Sequence, residues 1–125
     1  MSEKNKIVVE AQPQFIKEQS SPEQNRYVFA YTITITNVGE LAAKLLTRQW
    51  LITDSNGKVQ EVRGDGVVGK QPVLKPGNIF RYTSGAIIET PVGIMQGHYI
   101  FISEQDERFT AIIPKFTLSI PRVLH

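Results

Sequence analysis

The segment Gly64-Asp65-Gly66-Val67-Val68-Gly69 has the literal spacing G-x-G-x-x-G. In a dinucleotide site that spacing permits a tight turn and close approach of a pyrophosphate, and a following helix offers its first backbone amides to the charge. Here Pro72 comes three residues after Gly69 and Pro76-Gly77 follows soon after, so no helix can start and propagate. Two other uses of the glycines remain. They can bend a crossing between strands, since glycine tolerates positive φ and close backbone contact. Alternatively, successive amides can form a nest that holds an anion without any helix. The candidate ligand or partner loop is therefore Arg63, Gly64, Asp65, Gly66, Gly69 and Lys70, with the two cations flanking it. Arg48 joins this set. It stands two residues before Trp50 and shares its face if the strand is regular, so it must reach the rim, or pair with an acid such as Asp65, or touch a ligand.

Other chemistry has less to build on. Ser84 lies in Thr83-Ser84-Gly85, which lacks the G-x-S-x-G elbow of hydrolases. The histidines are His98, within a strand candidate, and His125, the last residue. Sequence spacing gives no support to a Ser84, His98 and Asp65 triad. Asp54-Ser55-Asn56-Gly57 opens like a calcium loop but lacks the later ligands, and Glu104, Asp106 and Glu107 read as a solvated hairpin tip. With no cysteine in the chain, thiolate catalysis, disulfides and cysteine metal sites are excluded. No catalytic residue, cofactor or metal is expected, and the reading is of a protein that is not an enzyme.

The chain of 125 residues suits one domain spanning 1–125. Fourteen basic and 12 acidic residues leave a net charge of only +2. Lys44, Arg48, Lys58, Arg63, Lys70, Lys75 and Arg81 are dispersed rather than clustered, which argues against a nucleic-acid partner. The polar start, with no apolar segment after it, argues against a secretory signal, and no apolar run approaches the ~20 residues needed to span a bilayer. A cytoplasmic location and no membrane partner are expected.

These residues need a scaffold, and the punctuation of the chain says which. Breakers at Pro13, Pro22, Gly39, Asn56-Gly57, residues 64–69, Pro76-Gly77, Pro91 and Gly93 separate short β-branched or aromatic runs. That pattern predicts an all-β fold of two packed antiparallel sheets, immunoglobulin or fibronectin type III-like, with about seven or eight strands. Residues 7–17 read as an edge strand broken by Pro13, and 18–25 as a loop. Residues 26–36 form the clearest strand, with Tyr27, Phe29, Tyr31, Ile33 and Ile35 on one face. Residues 40–48 carry helix propensity yet run into strand-forming Trp50, Leu51 and Ile52, leaving both readings open with strand slightly favoured. Asn56-Gly57 predicts a tight hairpin with positive φ, with 58–63 returning. Strands follow at 78–88, 97–104 and 108–119, the last two hairpinned around 105–107. Trp50, Phe80, Tyr82, Tyr99, Phe101 and Phe116 are the expected aromatic core.

Several stretches then match a known family in order: Thr47-Arg48-Gln49-Trp50-Leu51-Ile52-Thr53-Asp54, Glu61-Val62-Arg63-Gly64-Asp65-Gly66-Val67-Val68-Gly69-Lys70-Gln71-Pro72, Pro76-Gly77, Phe80-Arg81-Tyr82-Thr83-Ser84-Gly85, Thr90-Pro91-Val92-Gly93-Ile94-Met95-Gln96-Gly97 and Ile113-Pro114-Lys115-Phe116-Thr117-Leu118. Over nearly its whole length the chain resembles the ApaG family. The resemblance implies a fibronectin type III-like sandwich, and strand rather than helix at 43–48. ApaG-like domains also occur in eukaryotic F-box proteins and in a DNA-polymerase-interacting protein, where they resemble partner-binding modules. Bacterial members are loosely associated with dinucleoside polyphosphate metabolism and with cobalt and magnesium tolerance. The leading expectation is an interaction module that contacts an as yet unidentified protein, through residues 64–77, residues 18–25 or a sheet edge. The rival is a weak binder of nucleotide, pyrophosphate or divalent cation at residues 64–69. A sheet edge also offers a route to a homodimer.

Overall fold

Alternation of large apolar residues with threonine gives the chain its most regular strand. In the computed structural model, which describes residues 3–121, that strand is β2 (Tyr27–Asn37). Its partners are β1 (Ile7–Phe15) on one side and β6 (Ile79–Ile88) on the other, both antiparallel. The second sheet runs β4 (Val59–Asp65), β3 (Ala43–Asp54), β7 (Val92–Ser103) and β8 (Arg108–Ser119), and the short β5 (Val73–Leu74) also pairs with β3. A three-stranded sheet thus faces a five-stranded one. Among the described residues there is no α-helix, only two single 3-10 turns at Lys17–Gln19 and Pro22–Gln24 within the expected loop.

Facing residues of the two sheets make one core. Tyr27, Phe29, Tyr31, Ile33 and Ile35 are buried as predicted, against Trp50, Ile52, Tyr99, Phe101, Ile113 and Leu118. Each such side chain stabilises the fold by about 1.5–3 kcal/mol. Tyr31, Trp50 and Phe116 meet in tilted and edge-on contacts, the favourable geometry for aromatic rings. Phe80 and Phe116 are only partly buried at the margin of this cluster.

Several boundaries differ from the sequence expectation, each for a local reason. β1 runs unbroken through Pro13, which pairs with Tyr31 in register. An edge strand has one side with no ladder partner, so a missing amide there costs nothing. The ambiguous stretch is one continuous strand, β3, because Ala43, Leu45, Trp50 and Ile52 bury on a single sheet face. β7 begins at Val92, not residue 97. At Asp54, Ser55-Asn56-Gly57 is a three-residue loop rather than a doubly left-handed turn: only Gly57 has positive φ, at 83°. Asp54 Oδ1 accepts the amides of Asn56 and Lys58 and holds it closed. The 103–107 hairpin repeats this construction, with Ser103 Oγ accepting the amides of Gln105 and Glu107 and Asp106 at φ 60°.

Candidate functional site

The glycine-rich segment is built on an irregularity in β3. A bulge falls between Leu45 and Thr47, so the Leu46 carbonyl has no cross-strand partner in register. That carbonyl instead accepts the Gly66 amide at 2.8 Å and Gln71 Nε2 at 2.9 Å, while the Leu45 amide donates to the Pro72 carbonyl. The chain leaves β4 at Asp65, makes a short excursion, and returns along the same edge of β3 as β5. Gly64 and Asp65 are therefore strand residues, paired with Arg48 and Thr47, and not loop.

The excursion closes as a two-residue hairpin. Val67 and Lys70 exchange both backbone hydrogen bonds, at 2.8 and 2.9 Å, with Val68 at φ 43° and Gly69 at φ 78° between them. This is the doubly left-handed turn that two-residue hairpins favour, and it stands beside the hairpin predicted at Asn56-Gly57, which forms with a three-residue loop. Glycine suits the second position, but a β-branched valine at the first is a genuine outlier. Val67 is fully buried and anchors the tip, whereas Val68 is 54% exposed at its apex. Gly66, at φ 63°, passes so close to the returning chain that a Cβ would meet the Lys70 carbonyl oxygen at 2.2 Å.

Arg48 locks the base of this tip. Its Nη1 donates to the backbone carbonyls of Asp65 at 3.0 Å and Gly66 at 2.9 Å. The expected pairing with the Asp65 carboxylate is replaced by this clamp on the Asp65 backbone. Arg48 is partly buried and lies on the inward side, where its charge also reaches the Tyr82 and Tyr99 hydroxyls. Those two hydroxyls are hydrogen-bonded to each other in the core, and burial raises both phenols, that of Tyr82 to about 12.

The other predicted residues divide between this clamp and solvent. Arg63 is exposed and ion-paired with Glu61, its neighbour on the same face of β4, and Lys70 is exposed at the tip. On the outer face of the larger sheet, Thr47, Gln49, Arg63, Asp65, His98 and Ile100 line a shallow depression of about 410 Å³. The sequence reading had no role for Gln49 or for the face of His98. The signal was the alternation that buries Tyr99 and so turns His98 outward. Ser84 belongs to the other sheet, so the imagined triad is not assembled. His125 lies outside the described residues. Among the described residues no three His, Asp or Glu side chains are grouped to hold a metal ion, and no helix is long and apolar enough to cross a membrane.

Fold and site together define an all-β sandwich of two antiparallel sheets that displays a braced hairpin on its larger sheet. Residues 17–103 match the model of the ApaG domain. The chain is 59% identical to Protein ApaG of Aromatoleum aromaticum, over 99% of this chain and 98% of that one, and 57% identical to Protein ApaG of Dechloromonas aromatica over the full length of both. A solved ApaA protein of Bordetella pertussis superposes with a TM-score of 0.96 at 46% identity, covering 98% of this chain and all of that one. This chain belongs to the ApaG family.

Proposed function

We propose that the chain is a cytoplasmic, non-enzymatic, fibronectin type III-like interaction module that docks a protein partner through the 67–70 tip. The observation that carries this reading is Val68: an exposed apolar side chain held at φ 43° on a hairpin braced from below. A β-branched residue in that conformation costs on the order of 1–3 kcal/mol, and such strain clusters at binding sites. The rigid tip also spares the partner complex the cost of ordering a loop. Affinity capture from native lysate tests the reading with wild type against Val68→Asn. Asparagine accepts the left-handed conformation, so the tip stays formed while its apolar apex is removed. Loss of one reproducible partner supports the reading, and identical captures overturn it.

A second reading, binding of nucleotide or polyphosphate with or without divalent cation, rests on fewer groups. The amides of Gly66, Val67 and Lys70 are spent within the chain, so only those of Val68 and Gly69 at the tip are left to meet an anion, with Lys70 next in sequence. Titration with diadenosine polyphosphate, with and without magnesium, would shift the Val68 and Gly69 amide resonances if it holds. Unmoved resonances at millimolar ligand discard it.

A further inference from the structure

Three of the sandwich edges carry devices that discourage strand pairing. β1 contains Pro13. β8 has a register shift around Pro114 and Lys115, opposite Gln96. The edge shared by β4 and β5 is interrupted by the 66–72 excursion and studded with Glu61, Arg63 and Asp65. Prolines, bulges and charges on edges are the standard defences against pairing with another chain. β6 has none of these but one charge, Arg81: it holds its register with β2 from Ile79 to Ile88 without proline or bulge.

The direction of its backbone groups follows from two contacts. The Asn78 carbonyl accepts the Asn37 amide, so even-numbered residues turn their backbone toward β2. The Ile87 carbonyl instead accepts Gln60 Nε2 from β4, so odd-numbered residues turn theirs outward. Ile79, Arg81, Thr83 and Gly85 therefore present amides and carbonyls that no described strand pairs, and all four residues are exposed.

We infer that β6 is an assembly edge that pairs antiparallel with β6 of a second copy, with Thr83 on the two-fold axis. The choice of occupant rests on the strand's self-complementarity. In that register Arg81 opposes Gly85 and Thr83 opposes Thr83 through outward-turned backbone, while Ile79 meets Ile87 through side chains alone, the Ile87 carbonyl being taken by Gln60 Nε2. The intervening pairs are Phe80 with Ala86 and Tyr82 with Ser84. Each large side chain meets a small one or its own kind, as a two-fold interface requires. Arg81 already lies flat on its own sheet, donating to Thr34 Oγ1 at 3.1 Å, and the two copies of Arg81 would stand four residues apart, roughly 13 Å at the rise of a strand. The smaller sheets would join into one six-stranded sheet, each copy contributing β1, β2 and β6.

This inference is independent of the tip reading, since β6 and the 67–70 tip belong to different sheets. Sedimentation velocity from micromolar to millimolar concentration should show a species of twice the 14.1 kDa chain mass. Gly85→Lys places a cation opposite Arg81 of the other copy, twice by symmetry, and meets only the Phe29 carbonyl at 3.4 Å within its own fold. It should give monomer, and the double variant Arg81→Glu/Gly85→Lys should restore dimer. Because the chain has no cysteine, Thr83→Cys supplies a lone thiol on the proposed axis and should cross-link under mild oxidation far faster than Thr110→Cys on β8. A wild type that stays monomeric at millimolar concentration overturns the inference. So does a dimer indifferent to Gly85→Lys, or a Thr83→Cys chain that cross-links no faster than the β8 control.

Discussion

Arg48 lies across Gly64 so closely that a methyl group on Gly64 would sit 2.7 Å from its Nη1. The two residues are also direct cross-strand partners. The empty space of the glycine is thus the channel through which the guanidinium reaches the Asp65 and Gly66 carbonyls. Gly64→Ala meets the far end of a flexible side chain and should cost about 1 kcal/mol by displacing the clamp. Gly66→Ala meets backbone at a left-handed residue and should cost about 2–4 kcal/mol. Urea denaturation of both variants checks the order, and Gly64→Ala costing more than Gly66→Ala would refute this account.

Val68 is expected to be a stability liability. Val68→Asn relieves the clash of a β-branched side chain with its left-handed backbone and should raise stability by about 1 kcal/mol. Calorimetry reads this as a higher Tm. An unchanged or lower Tm would show that the valine is comfortable and that its φ carries no functional message.

The Tyr82 and Tyr99 hydroxyls predict a fall in stability at high pH. Burial is the main cause in both, and it lifts the Tyr82 phenol to about 12 and the Tyr99 phenol further, above the ordinary value near 10. The unfolded chain loses these protons first, so their contribution is intact below about pH 10 and drains away as pH rises through the folded value of about 12 for Tyr82. Urea midpoints across this range should drop more steeply for wild type than for Tyr82→Phe/Tyr99→Phe. Removing one hydroxyl strands the other, so the double variant should cost less than the sum of the single ones.

Gly97 tests how tightly the larger sheet is drawn. A Cβ there would lie 2.0 Å from the Gln49 carbonyl oxygen and 3.2 Å from the Trp50 Cα. Neither is a movable side-chain end, and β7 already shifts register at this point. Gly97→Ala should cost at least about 3 kcal/mol, enough to leave much of a marginally stable domain unfolded. Far-UV circular dichroism of the purified variant measures it.

The sandwich was legible because period-two alternation in residues 27–35 and regular breakers encode strand faces directly. The 40–48 ambiguity arose because Leu41 to Leu46 favour helix locally, and only burial of Ala43 and Leu45 against the opposite sheet decides the matter. Arg48, Gly64 and Gly66 were picked out, but their relation was not. It depends on a bulge at Leu46, which frees one carbonyl and leaves no local signature. The hairpin at Asn56-Gly57 was legible from its turn chemistry, whereas the second turn, at Val68-Gly69, was not, because valine at φ 43° carries no turn signal in the sequence.

The pairing of β2 with β6 also governs how the chain acquires its shape. Tyr27 must find Ile88, and Thr36 must find Ile79, with all of β3, β4 and β5 strung between them. The β1–β2 hairpin cannot gain its third strand until ribosomal synthesis has passed Ile88. Contacts so distant along the chain slow folding to a timescale of ~milliseconds to seconds. The inner face of β2, carrying Phe29, Tyr31, Ile33 and Ile35, stays uncovered longer still, until β7 and β8 complete the opposite sheet, so the nascent chain is most exposed to aggregation before synthesis reaches Ser119.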